Sequence, residues 1–174
     1  MLSKDVAGLA AQYGLAPLPV EGGLFRRTWA GPADDTGRPA GSAILFLLSA
    51  VDGLFSAMHR LPIDEVWHFY RGDTIELLLL DHEPRVELLG TGQVQLTVPA
   101  GTWMGARVAP GGQWALCGTT MAPGFVPADY EGGDADTLAA RYPAEADRIR
   151  ALCRPDEPLQ LTEDPDERSL RSEH

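Results

Sequence analysis

Gly53-Leu-Phe-Ser-Ala-Met-His59-Arg-Leu61-Pro-Ile-Asp-Glu65-Val-Trp-His-Phe-Tyr-Arg-Gly72 reads as two strand-length runs parted at Pro62. Successive side chains on a strand point to opposite faces. Phe55, Ala57, His59 and Leu61 therefore share one face, and Ser56, Met58 and Arg60 the other. An imidazole is thus presented by an otherwise apolar face. In the second run Glu65, Trp67 and Phe69 share a face and Val66, His68 and Tyr70 take the opposite one, unless a bulge resets the phase.

Outward from this segment the same pattern recurs. Strand-like runs at 24–30, 43–50, 53–61, 66–70, 74–80, 85–89, 94–98, 105–108 and 114–121 are punctuated by Gly, Pro and Asp, with no helices between them. Short strands at such spacing indicate an all-β sandwich or barrel rather than a parallel α/β sheet. Before them, Val6, Leu9, Ala10 and Tyr13 fall at helical spacing between Ser3, a candidate N-cap, and Gly14, a stop. After them, 134–153 carries a helical stripe of Leu138, Ala139, Tyr142, Ala146, Ile149 and Leu152, broken at Pro143, which predicts one or two helices against the sheet. One domain over 1–153 is expected, followed by an acidic, flexible tail over 154–174 that has too few apolar residues to offset its ordering entropy unless something docks it.

Composition narrows the function. The net charge is −11, of which the body without the tail carries −7, and this repels phosphate backbones and anionic lipid surfaces. Nucleic-acid and membrane partners are not expected. The N-terminal segment lacks the charged and continuously apolar regions of a secretory signal, and a cytoplasmic location follows as the expectation. Cys117 and Cys153 are isolated thiols without a Cys-x-x-Cys spacing, read as small apolar packers.

Gly53, His59, Glu65 and Gly72 fall in the register G-x5-H-x-H-x3-E-x6-G, with Leu61 in place of the second histidine. Pro99 and Gly101 match a later Pro-x-Gly element, where Met104 stands in place of a histidine and Val108 in place of an asparagine. These segments, with the phrases EGGLFRRTW, DEVWHFYRGD, VPAGTWMGARV and MAPGFVPADYE, resemble the cupin superfamily, and within it a subfamily of uncharacterised bacterial and fungal proteins. The resemblance implies a double-stranded β-helix, a jelly-roll barrel related in shape to sugar-nucleotide epimerases, with short flanking N- and C-terminal helices. It also implies a homodimer. Many cupins hold a divalent metal through three histidines and a glutamate, and only His59 and Glu65 of that set are present.

A small-molecule ligand is the expected partner, and three readings of the site stay open. In the first, His59 and Glu65 perform metal-independent epimerisation or isomerisation of a carbonyl compound such as a sugar derivative. His59 removes the proton, Glu65 orients it, and Arg26 or Arg27 supplies the cation for an enolate. Of these two, Arg26 is assigned to the ligand together with Trp67, Phe69, Trp103 and Met104 as cavity walls. In the second, the barrel binds a ligand without chemistry. In the third, a metal-dependent oxygenase or isomerase uses His59 and Glu65 with His68 brought inward by a bulge. Two ligands fall short of the usual three, so no metal or other cofactor is assigned.

Overall fold

The computed structural model describes residues 1–165; residues 166–174, the far part of the acidic tail, lie outside the described residues. Helix α1 (Lys4–Tyr13) leads into strands β1 (Ala16–Pro17), β2 (Leu24–Ala30), β3 (Ser42–Ser49), β4 (Ser56–Arg60), β5 (Glu65–Gly72), β6 (Ile75–Leu80), β7 (Arg85–Leu89), β8 (Gln95–Val98), β9 (Trp103–Val108), β10 (Trp114–Met121) and β11 (Glu131–Gly132). Helices α2 (Ala135–Arg141) and α3 (Ala146–Ala151) follow. The nine expected strands are all present, with ends shifted by up to three residues. The largest shift is at the start of β4, where Gly53 belongs instead to the turn after β3.

The strands form two antiparallel sheets, in the orders β1-β2-β3-β10-β5-β8 and β11-β4-β9-β6-β7. Crossovers such as β3 beside β10 and β4 beside β9 give the jelly-roll connectivity expected of a double-stranded β-helix. The core lies between the sheets, around Phe46, Leu48, Trp67, Leu77, Leu79, Val98 and Ala106.

The outer faces explain why some strands are apolar throughout. In β6, Ile75, Leu77 and Leu79 point into the barrel, while Leu78 and Leu80 join Met58, Leu138, Ile149 and Leu152 beneath α2 and α3. On the other sheet, Val6 and Leu9 of α1 cover Leu24, Leu47 and Leu116. A helix thus shields each sheet where its outer face is greasy, and removing that area from water stabilises the fold at about 25 cal/mol per Å².

The expected N-cap differs. Ser3 makes no side-chain cap bond. Its hydroxyl and N–H both donate to the Asp52 carboxylate (2.8 and 2.6 Å), which also accepts from Ser49 (2.7 Å), so the residue ties α1 to the β3–β4 turn instead. The tail also differs from expectation over 154–165, which docks on the barrel. Arg154 lies 4.9 Å from the Phe55 ring centre, and the Leu159 carbonyl accepts from the Gly132 N–H at 2.7 Å.

Gly23 turns the chain into β2 at φ +74°, and a Cβ there would stand 2.4 Å from the Phe46 ring. Gly23→Ala is expected to lower the unfolding free energy in urea by about 2–4 kcal/mol, combining backbone strain with an overpacked core. Gly37→Ala, at φ +84° with open space around it, should cost only about 1 kcal/mol.

Candidate functional site

One end of the barrel is left unfilled. Its lining combines apolar walls (Leu18, Phe25, Ile44, Leu61, Met121, Phe125) with Glu21, Arg27, Ser42, His59, Glu65, Thr119 and Tyr130, and its free volume is about 60 Å³. That is room for a few waters or one small organic molecule. Leu161 and Pro165 of the tail complete the wall.

His59 sits on β4, which departs from the strict alternation expected: its pairing with β9 shifts by one residue between Ser56, opposite Ala106, and His59, opposite Met104, so Ser56 and His59 both face the interior while Phe55 and Met58 pack on the helix side. Its Nδ1 lies 2.7 Å from the Ala57 carbonyl oxygen, a group that can only accept. Nδ1 therefore carries a proton, and in the neutral ring the lone pair belongs to Nε2. Tyr130 stacks on this imidazole, ring centres 5.3 Å apart and planes within 14°. The tyrosine is brought there by β11, in which Gly132 pairs with His59, and by the turn before it, where Arg38 grips Asp129 with two hydrogen bonds of 2.6 and 2.8 Å.

Glu65 opens β5 and is buried. Burial pushes its carboxyl up to about 6, and the nearby Glu21 carboxylate adds to the rise; the His59 imidazole and hydrogen bonds from Thr119 and Trp67 oppose it. The Trp67 indole N–H donates to Glu65 at 2.8 Å. Glu21 enters from the turn before β2 and accepts from the Ser56 hydroxyl at 2.6 Å. Burial, reinforced by Glu21, raises the Tyr130 phenol far above its ordinary range, so at neutral pH it remains a hydrogen-bond donor.

The structure therefore brings His59 and Glu65 into one cavity, and distributes the other expected site residues differently. Arg26 is exposed beside Gly14 at the end of α1, and Arg27 is the arginine that lines the cavity. Trp67 is buried behind Glu65, which it serves through its indole N–H, and Phe69 packs against the core further along β5. Met104 faces His59 across the β4–β9 pair but belongs to the packed core. Trp103 lies on the outer side of the second sheet among residues contacting α2 and α3, with the Arg60 guanidinium 4.8 Å from its ring centre. Glu21, Tyr130 and Thr119 were not singled out by sequence reasoning. The phrases EGGLF and PADYE contain two of them, but only the folded chain shows that both reach His59's end of the barrel.

His68 points outward, with its Nε2 3.0 Å from the Thr120 hydroxyl and its Nδ1 3.1 Å from the Gln95 amide. The bulge needed to bring it in does not occur at this position. Cross-strand pairing runs regularly from Glu65 to Phe69, and the irregularity in β5 falls between Phe69 and Arg71. Leu61 and Met104 occupy two of the resembling family's histidine positions, and among the described residues no group of three or more His, Cys, Asp or Glu is placed to hold a metal ion. The donor set does not fit a divalent metal that needs three protein ligands.

Comparison with known proteins agrees with the fold. Residues 7–132 match the family model described as Cupin superfamily (DUF985). The structure is similar to that of a Shewanella oneidensis protein, at 30% identity and a TM-score of 0.78, over 90% of this chain and 100% of that one. It is also similar to a hypothetical protein from Leishmania major, at 26% identity and a TM-score of 0.75, over 84% of this chain and 97% of that one. Oxalate decarboxylase from Bacillus subtilis shares the fold alone, at 14% identity and a TM-score of 0.55, over 89% of this chain and 42% of that one. Among curated proteins none matches. With its family model spanning most of the barrel, the chain belongs to the cupin superfamily, in its DUF985 family.

Proposed function

We propose that this cupin binds a small carbonyl compound at the open end of its barrel and exchanges a proton on the carbon next to the carbonyl, as an isomerase or epimerase does, without a metal. The observation that carries the reading is the His59 constellation: Nδ1 tied to the Ala57 carbonyl, Tyr130 stacked on the ring, and Glu65 buried in the same cavity. Nε2 takes the proton from carbon, and the electron pair moves onto the carbonyl oxygen. The protonated Tyr130 phenol, stacked beside His59 in the cavity wall, is the donor for that oxygen. The Glu65 carboxylate favours the imidazolium so formed. Return of the proton to the other face of the same carbon epimerises it; where that carbon carries a hydroxyl, return of the proton to the former carbonyl carbon, with the hydroxyl proton passing to the former carbonyl oxygen, isomerises the compound. The cavity's free volume of about 60 Å³ favours a ligand of few heavy atoms over a whole sugar nucleotide.

Incubation of small aldehydes, ketones and oxo acids in deuterium oxide, followed by NMR, tests this. Exchange next to the carbonyl is expected, lowered about 10²–10⁴-fold by His59→Ala and declining as pH falls through about 6, where Glu65 becomes neutral. Tight binding with no exchange would make the barrel a carrier. Elemental analysis of untagged protein is expected to find no stoichiometric divalent metal; metal at one per chain, lost in His59→Ala, would restore metal chemistry.

Glu65 also leaves a signature in stability. Its folded value of about 6 lies above the ordinary value of 4.5, so the folded chain holds this proton more tightly than the unfolded one. That contribution is complete below about pH 4.5 and is lost as pH rises through about 6. Glu65→Gln keeps an acceptor for Trp67 and has no proton to lose. Its unfolding free energy relative to the parent should therefore rise by about 2 kcal/mol between about pH 4.5 and about pH 7.

A further inference from the structure

We propose that the cavity takes a small carboxylate with its carboxyl group on Arg27, and that the chain's own Asp164 holds that place in competition with it. The inference rests on the proposed ligand cavity and names the chemical class that enters it. Arg27 is the only lysine or arginine among the described lining residues, on the same face of β2 as Phe25 and level with the apolar walls. Asp164 is ion-paired to it, and the two side chains are only 20% and 25% exposed. A guanidinium held this far out of water favours a planar carboxylate that meets its fork.

The segment bearing Asp164 has the form of a strap. Leu159 is pinned by the Gly132 N–H, and Leu161 and Pro165 lie in the cavity wall on either side of the aspartate. Leu161 and Pro165 in the cavity wall, with the Asp164 carboxylate on the wall's Arg27 between them, thus carry the features of an apolar carboxylic acid. Within the cavity the carboxyl groups of Glu21 and Glu65 oppose an incoming anion, whereas Arg27 attracts it. A ligand carboxylate therefore settles on Arg27 and leaves its carbonyl end toward His59. Movement of 159–165 releases the Gly132 N–H and breaks none of the strand pairings of the barrel, so the exchange of one carboxylate for another is local.

The test is calorimetric titration of the full chain with glyoxylate, pyruvate and 2-oxobutyrate, and with pyruvamide as the uncharged control. A strap closed about nine-tenths of the time weakens apparent affinity about tenfold, so Asp164→Ala should bind the oxo acids about tenfold more tightly than the parent. Adding Arg27→Gln to Asp164→Ala should abolish that gain, and pyruvamide should respond to neither change. Amide hydrogen exchange at Gly132 should quicken in Asp164→Ala, reporting release of the strap independently of any ligand. Unchanged or weaker affinity in Asp164→Ala, equal affinity with and without Arg27, or no binding of any of the three oxo acids at millimolar concentration overturns the proposal. Arg27-dependent binding of pyruvate and 2-oxobutyrate without deuterium exchange at their third carbon would instead leave the proposal standing and overturn the acid–base reading. Exchange on neutral carbonyl compounds, indifferent to Arg27 and Asp164, would do the reverse.

Discussion

Two sheets closed on one another must fill their interior with every second side chain of each strand, and that constraint governs the molecule. β6 meets it with Ile75, Leu77 and Leu79 inside, and its remaining leucines are tolerated only because α2 and α3 cover the outer face. β5 obeys the same alternation from Glu65 to Phe69, which sends Glu65 inward and His68 outward, and in β4 a one-residue shift between Ser56 and His59 leaves both of these facing inward. A single residue of slip in either strand would reverse these positions. The chemistry of the barrel is thus a consequence of register.

Where the interior filling stops, polar groups must be satisfied by one another. Glu65 is buried and meets the Trp67 indole N–H; His59 gives its Nδ1 proton to the Ala57 carbonyl; Glu21 accepts from Ser56. These bonds fix orientation as well as offsetting desolvation, because each uses one specific edge of its group. Replacement of two metal-ligand positions by Leu61 and Met104 extends the apolar filling toward the site, and this favours a partly neutral carboxyl over a coordinated one. Cys117, buried close enough to Glu65 to sense its charge, is held as an un-ionised thiol and takes the role of a small apolar packer.

The barrel's mouth is finished by segments far apart in sequence. Asp129, gripped by Arg38, sets the turn that delivers Tyr130, and 159–165 lies across from it. The tail's composition argues against ordering in isolation, but composition does not report what surface is available to it. The Arg27 guanidinium in the wall, paired with Asp164, and the Gly132 N–H, which donates to the Leu159 carbonyl, supply that surface.

From the sequence alone came the all-β class, the strand spans, the flanking helices, and His59 and Glu65 on interior faces, because periodicity and motif spacing are local properties of the chain. Which of Arg26 and Arg27 faces inward was not legible, since Leu24 and Phe25 are both apolar and leave the parity of β2 undecided. Only the folded chain shows that Leu24 belongs under α1 and Phe25 inside, and with Phe25 goes Arg27. Trp67, Phe69, Trp103 and Met104 are equally suited by residue type to a cavity wall; Trp103 falls on the outer face of its strand, and for the other three depth along the barrel separates filling from lining, a coordinate that no strand carries by itself. Tyr130, Glu21 and the strap meet His59 across separations of 71, 38 and about 100 residues. Such contacts are fixed by closure of the two sheets, and tertiary structure alone decides them.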